Sequence, residues 1–290
     1  MAAAGRLRVT LAQFTAAPAD VRANLAQMLS LLAAAAGDRP DLVCFPELCL
    51  SGYLLDPAGY SSAVLAELTD AESELEAAAR KQGVRVLYGT AQRAESGLYN
   101  TVVLTEADGS RTRYAKTHMV ASERAVFAAG QELVLAASGD LAVGCCYDLA
   151  FPVFCADLAD AGARAMFFPM AWEQQRSFVF EGVATARAIE NVAYIACINQ
   201  TGTCGMTKFH GGSKIIDPLG RTLADMGDAA GISTADLDLD WVTRLRSAAD
   251  TATYPLLSDR RRQMAVRRGG PIPHGLNEAV TNSLSGTLIP

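Results

Sequence analysis

Residues 141–169 read LAVGCCYDLAFPVFCADLADAGARAMFFP. Leu141 to Cys145 is a short apolar run and is predicted to form a buried strand. Pro152 to Ala161 is predicted as a helix, with proline in the first turn, where its missing N–H is tolerated. Ala165 to Pro169 is a second apolar run and a second strand. Strand, turn, helix and strand in succession form the unit from which layered α/β folds are built. The apolar character continues to Trp172, but Asp148, Asp157, Asp160 and Arg164 interrupt it. A membrane span would not carry these charges.

The same alternation extends in both directions. Arg8 to Phe14 alternates as a strand does. A helix follows with Val21, Leu25, Met28, Leu29 and Leu32 on one face, and Gly37 is read as its stop. Leu42 to Phe45 is a short buried strand. Leu65 to Lys81 is helical and stops at Gly83. Val84 to Gly89, Tyr99 to Thr105 and Leu133 to Ala136 are strands. Downstream come a helix over Phe178 to Asn191 and strands over Ala193 to Asn199, Gly212 to Asp217 and Gly231 to Leu237. Hairpin-like strand pairs interrupt the alternation, which predicts a mixed-sheet, layered α/β fold. No internal sequence repeat is evident.

The chain has 290 residues, half of them hydrophobic, enough for a large core. No Pro/Gly/Ser-rich linker divides its middle, so one domain is expected over 1–257. The remainder, 258–290, carries Arg260, Arg261, Arg262, Arg267 and Arg268 and is read as a solvated tail. A net charge of −6 argues against nucleic acid or an anionic membrane as the main partner. Met1 to Gln13 is too short in apolar residues, and too interrupted by Arg6, Arg8 and Thr10, to be a signal peptide. A soluble, cytoplasmic protein is expected. Seven cysteines, an odd number with no CxxC pair, do not form a small disulfide scaffold. His118, His210 and His274 lie far apart, so neither a metal site nor another cofactor is expected.

Polar residues cluster where three apolar runs stop. They are Phe45-Pro46-Glu47-Leu48 with Ser51-Gly52-Tyr53, then Tyr114-Ala115-Lys116-Thr117-His118, then Gly144-Cys145-Cys146-Tyr147-Asp148 with Phe151-Pro152. In layered α/β folds, strand ends and the loops after them are where sites are built. Each residue alone has a plainer reading: Glu47 as a turn residue, Lys116 as surface charge, the cysteines as core. Neighbours on a strand point to opposite faces, so only one of Cys145 and Cys146 can face a site.

Taken together, these motifs resemble the nitrilase, or carbon–nitrogen hydrolase, superfamily, from Val9 to about Asp236. The family's glutamate motif matches Pro46-Glu47-Leu48 with Gly52-Tyr53, and its lysine motif matches Lys116-Thr117-His118-Met119. A second family acid falls at Glu123, with Phe127 and Gly130 beyond it. The nucleophile motif matches Cys146-Tyr147-Asp148, followed by Phe151-Pro152. Ala171-Trp172, Arg187 to Asn191, Asn199, Gly202, Phe209, Gly211, Gly212, Ser213, Asp217, Pro218 and Gly220 also fit.

The resemblance implies a four-layer α-β-β-α sandwich and pairing of subunits into a homodimer or larger assembly, where the tail can reach a neighbour. It implies Cys146 as nucleophile, since the family places its cysteine directly before the aromatic–Asp pair, and leaves Cys145 as a small core hydrophobe. Glu47 is then the base that takes the thiol proton. Lys116, with a backbone N–H near Tyr147, stabilises the oxyanion. Glu123 holds Lys116 or helps substrate protons move. Substrate contacts are expected from Tyr53, Tyr147, Trp172 and Glu173, the last as a partner for a substrate amine or simply as a helix-start acid. Two positions depart from the family pattern: Val153 stands where glutamate is common, and Ala150 where many members have arginine.

Tyr147-Asp148 in place of Trp-Glu favours amides over nitriles, so hydrolysis of a small non-peptide amide is the expected reaction. Carbamoyl hydrolysis, nitrile hydrolysis and acyl transfer to an amine are alternatives within the family. Outside it, Gly211-Gly212-Ser213-Lys214 has a short likeness to serine amidases, a papain-like reading lacks a supported histidine, and a non-catalytic binding protein would not need the intact Glu47, Lys116 and Cys146.

Overall fold

A computed structural model of the chain describes residues 5–247 apart from Ala107. The expected boundary at 257/258 and the arginine-rich tail lie outside the described residues. The first half runs β1 (Arg6–Gln13), α1 (Val21–Ala35), β2 (Leu42–Cys44), α2 (Ser62–Gln82), β3 (Arg85–Ala94), β4 (Gly97–Thr105) and β5 (Arg111–Ala115). The caps explain the helix limits. The Asp20 carboxylate accepts from the Ala23 N–H at 3.0 Å at the start of α1, and Ser61 does the same for Val64 at 3.4 Å on α2. Gly83, left-handed at φ 69°, closes α2, with Arg80 and Lys81 in its last turn. Gly37 does not close α1 as expected. It lies inside a single 3₁₀ turn, Ala36–Asp38, and the left-handed residue is Arg39 at φ 51°.

The second half runs β6 (Val134–Leu135), β7 (Leu141–Val143), α3 (Pro152–Asp160), β8 (Ala165–Met170), α4 (Ser177–Asn191), β9 (Tyr194–Asn199), a small hairpin of β10 (Thr203–Cys204) and β11 (Thr207–Lys208), β12 (Lys214–Ile216), β13 (Thr222–Asp225), β14 (Gly231–Asp238) and α5 (Leu239–Arg246). Two six-stranded sheets result, in the orders β14-β1-β2-β3-β4-β5 and β6-β7-β8-β9-β12-β13. In each, three parallel strands (β1-β2-β3, β7-β8-β9) are flanked by one antiparallel strand on one side and two on the other. The halves share a topology that the sequence does not show as a repeat.

The layers follow from period-two burial. Leu42, Cys44, Leu87, Val102 and Leu104 join a core with Phe167, Ile195 and Ile198 of the other sheet. The intervening Val43, Val86, Tyr88 and Val103 join a second core with Leu25, Met28, Leu32, Leu68 and Leu75 of α1 and α2. Phe154, Leu158, Phe180 and Ala184 of α3 and α4 pack on the second sheet. The chain is a four-layer α-β-β-α sandwich. Acids on the inner face of α2 are tied to the sheet. Glu76 accepts from Tyr88 Oη at 2.7 Å and from Arg111 at 2.6 Å, and Glu72 accepts from Thr90 at 3.0 Å and from Arg113 at 2.9 Å. Among the described residues no helix is long and apolar enough to cross a membrane.

The turn after β2 depends on Gly89 of β3. The Gly89 N–H donates to the Pro46 carbonyl at 3.1 Å, while its own carbonyl accepts from Leu50 N–H at 3.5 Å. A Cβ at Gly89 would stand 2.3 Å from the Leu48 nitrogen and 2.7 Å from the Glu47 Cα. Leu48 itself is left-handed at φ 48°. The turn therefore presses directly on bare backbone. Gly89→Ala is expected to cost about 1–3 kcal/mol through overpacking and to displace Glu47. Calorimetry should show a melting temperature lower by several degrees. A variant as stable as the parent would mean that this turn yields freely.

Candidate active site

Glu47 follows β2 and is fully buried. Its Oε1 accepts from Lys116 Nζ and from Asn100 Nδ2, each at 2.7 Å, and its Oε2 accepts from the Ala171 N–H at 2.8 Å. The Glu47 backbone carbonyl accepts from Gln200 Nε2 at 2.9 Å. Residues from both sheets thus fix one carboxylate.

Lys116 leaves the end of β5 with only 1% of its side chain exposed. Its N–H donates to the Asn100 carbonyl at 2.9 Å, and its carbonyl accepts from Gly130 N–H at 2.8 Å. Gly130 packs so tightly here that a Cβ would reach 2.1 Å from the Ala115 oxygen. The ammonium donates to Glu47 and to Glu123 Oε1, both at 2.7 Å. Burial alone would lower the lysine's affinity for its proton. Glu47, the nearby thiols and Glu123 outweigh that, and the ammonium is held well above its ordinary pKa. Glu123 sits in a 3₁₀ turn after the lysine. It also accepts from the Tyr53 hydroxyl at 3.1 Å and from the Val120 N–H at 3.0 Å. Desolvation, opposed by Lys116, raises its pKa.

Cys146 begins the 3₁₀ turn Cys146–Ala150 at φ 44°, while Cys145 before it is extended at φ −143°. The expected alternation along a strand is not what separates the two thiols, because β7 ends at Val143. The backbone reversal at Cys146 does so. A non-glycine residue held at positive φ is strained and persists only when its surroundings enforce it. Asp148 does much of the enforcing. Its Oδ2 accepts from the Cys145 N–H at 2.9 Å and from Tyr114 Oη at 2.7 Å. Its Oδ1 accepts from Thr117 Oγ1 and from the His118 N–H, both at 2.9 Å. Arg187 holds the far end of the turn through the Leu149 and Ala150 carbonyls, at 3.0 and 2.9 Å. Burial first, then the charge of Glu47, push the Cys146 thiol well above its ordinary pKa, with Lys116 pulling the other way. Such surroundings favour the neutral thiol over the thiolate.

Cys146, Lys116 and Glu123 line one cavity of about 340 Å³, a size suited to a small molecule. Tyr53, Tyr147, Trp172 and Glu173 line it too, with Val120, Ala150, Ala171, Arg176 and Val179. Tyr53 has a second part, as a donor to Glu123. Trp172 is fixed by a bond from Nε1 to the Arg176 carbonyl at 2.9 Å. His118 does not line this cavity. Its ring stacks on Phe151 and meets Asp148 at 2.8 Å, so a Cys–His protease arrangement is absent among the described residues. Cys145 is fully buried, as expected of a core residue, but its Sγ lies 3.9 Å from Asn100 Oδ1 and is not in purely apolar surroundings. Asn100, Gln200, Val120 and Arg176 were not foreseen. Only Asn100 left a signal, as a polar residue inside the apolar run Tyr99 to Thr105.

A model of the carbon-nitrogen hydrolase family matches residues 8–247. An (R)-stereoselective amidase from a Pseudomonas species is 32% identical over 262 residues, 88% of this chain and 92% of that protein. The 2-oxoglutaramate amidase of Bacillus subtilis (strain 168) is 33% identical over 235 residues, 77% of this chain and 86% of that protein. Among solved structures, a glutamate-to-leucine variant of the amidase from Nesterenkonia sp. AN1 superposes with a TM-score of 0.76 at 26% identity, covering 88% of this chain and 99% of that one. Its active-site cysteine carries the acetamide moiety of fluoroacetamide. With the family match spanning both sheets and every segment that builds the cavity, the chain belongs to the carbon–nitrogen hydrolases of the nitrilase superfamily, in its amidase-like branch.

Proposed function

We propose that the chain hydrolyses a small non-peptide amide to a carboxylic acid and ammonia through a thioester on Cys146. The observation that carries this reading is one cavity with Cys146 and Lys116 both in its wall and Glu47 bonded to Lys116 from behind. Glu47 takes the thiol proton as the Cys146 sulfur attacks the amide carbonyl carbon. The carbonyl oxygen becomes an oxyanion facing the Lys116 ammonium. Glu47 passes the proton to the amide nitrogen, the C–N bond breaks, and ammonia leaves an acyl group on sulfur. Glu47 then takes a proton from water, whose oxygen attacks the thioester, and returns it to the departing thiolate. Glu123 keeps Lys116 in place throughout. No step calls for a metal or organic cofactor.

The lining is mostly apolar apart from Lys116, Glu123, Glu173 and Arg176. Val120, Tyr147, Ala150, Trp172 and Val179 offer apolar surface, and Ala150 provides no cation for a substrate carboxylate. Glu173 faces Arg176 at 3.9 Å, so a substrate amine would meet a carboxylate that already has a partner. The amidase names of the relatives favour amide hydrolysis, and the Tyr147-Asp148 pair favours amides over nitriles.

Cys146→Ala is expected to abolish ammonia release from a panel of small aliphatic amides, while Cys145→Ala keeps most of it. Lys116→Met is expected to lower kcat on the order of 10²–10³-fold, the usual effect of deleting an oxyanion donor. A dead Cys145 variant beside an active Cys146 variant would overturn the assignment. A cytoplasmic homodimer is also proposed. Val153 at the start of α3 and Phe178 at the start of α4 are 69% and 75% exposed, apolar surface that a partner subunit would cover. Light scattering at micromolar concentration should then give twice the chain mass, and a monomer would refute the pairing.

A further inference from the structure

Glu47 has a neighbour that acts on both the carboxylate and the lysine. Asn100 lies in β4, fully buried, and is absent from the cavity wall. Its Nδ2 donates to Glu47 Oε1 at 2.7 Å, and its backbone carbonyl accepts from the Lys116 N–H at 2.9 Å. Its Oδ1 faces Cys145 Sγ at 3.9 Å. The amide orientation follows from these neighbours: its oxygen meets a weak donor and its nitrogen meets a carboxylate. β4 cannot shift to relieve these contacts, because it is hydrogen-bonded on both sides, Ala91 opposite Asn100 and Ala115 opposite Thr101.

A carboxylate has about four acceptor positions, two on each oxygen. Lys116 and Asn100 together fill those of Oε1, whereas Oε2 receives the Ala171 N–H. The position left open is on Oε2. We infer that Asn100 is a positioning residue for the Glu47 base: by occupying Oε1 it prevents rotation of the carboxylate and keeps Oε2 available for the Cys146 proton. This rests on Glu47 being the base, as proposed above. Asn100 touches neither the nucleophile nor the cavity, so it acts only through Glu47 and Lys116. The presence of Cys145 also gains a reason, since its thiol fills the space beside the Asn100 oxygen without competing for Glu47.

The test uses the alkylation of Cys146 by iodoacetamide in the full-length protein. The Cys146 proton passes to Glu47, a C–S bond forms, the C–I bond breaks and iodide leaves. Mass spectrometry of the Cys146 peptide gives the rate near neutral pH. Glu47→Gln should slow alkylation at least about tenfold, because the buried thiol must then ionise unaided. Asn100→Ala and the nearly isosteric Asn100→Leu should each slow it by roughly tenfold or more, since both remove the donor to Oε1 and only the first greatly changes the volume. Adding Asn100→Ala to Glu47→Gln should slow it no further, because a residue acting through Glu47 has nothing left to act on.

Native circular dichroism and a cooperative melt establish that each variant is folded. If Asn100→Leu does not fold, Asn100→Ser, whose side chain is shorter than that of asparagine, replaces it. A Glu47→Gln protein alkylated at the parent rate would remove the base reading itself. A slow Glu47→Gln protein beside Asn100 variants at the parent rate, or Asn100→Ala slowing the Glu47→Gln protein by its full factor again, would overturn the role given to Asn100.

Discussion

The structure is organised around one buried cation. Lys116 is 1% exposed, and an ammonium in that position is tolerated only with matched partners, because desolvation costs several kcal/mol per ion. Glu47 and Glu123 supply them at 2.7 Å each. Neither acid is near the lysine by chain geometry alone: Glu47 follows β2, Lys116 follows β5, and Glu123 is delivered by a separate turn. The cation therefore requires these segments to converge. The neighbours that converge with them, Asn100 from β4, Ala171 after β8 and Gln200 after β9, hold Glu47 from both sheets. Removing Lys116 would leave two buried carboxylates without their cation, at about 3–5 kcal/mol. Folding and site assembly are in this respect the same event.

The cavity opens beside the ends of the parallel strands. Glu47 follows β2, Cys146 follows β7 and Trp172 follows β8, which is where open α/β sheets place their ligands. Because two sheets of like topology face each other, both sets of strand ends serve one cavity. The first sheet provides Glu47 and Lys116, and the second provides Cys146 and Trp172. The surroundings of Cys146 are dominated by burial and by Glu47, both of which favour the neutral thiol, and Glu47 and Lys116 reach it from the other sheet.

Much of the element order was legible in the amino-acid sequence because period-two and period-3.6 burial are local signals. The stop at Gly83 and the proline opening α3 were likewise local. Gly37 misled because a glycine after a helix is a statistical stop, whereas here Arg39 takes the left-handed position. Glu47, Lys116 and Cys146 stood out first as polar residues where apolar runs stop, and the resemblance to a family then gave them, with Glu123, their expected roles. What was hidden depends on contacts distant in the chain. Asn100 meets Glu47 across 53 residues and Gln200 meets it across 153. The duplicated topology was hidden because unlike sequences can satisfy the same strand pairing. The separation of Cys145 from Cys146 was hidden because a left-handed backbone at a cysteine has no sequence signature.

The central claim is that this buried ion-pair cluster serves covalent chemistry at Cys146. The most direct test is to mix the protein with a slowly hydrolysed small aliphatic amide, quench in acid, and weigh the intact chain and its Cys146 peptide by mass spectrometry. The account predicts an added mass equal to the acyl group, confined to that peptide, and its loss with formation of a hydroxamate when hydroxylamine is present. Turnover of the amide with no acyl adduct and no hydroxamate would contradict it.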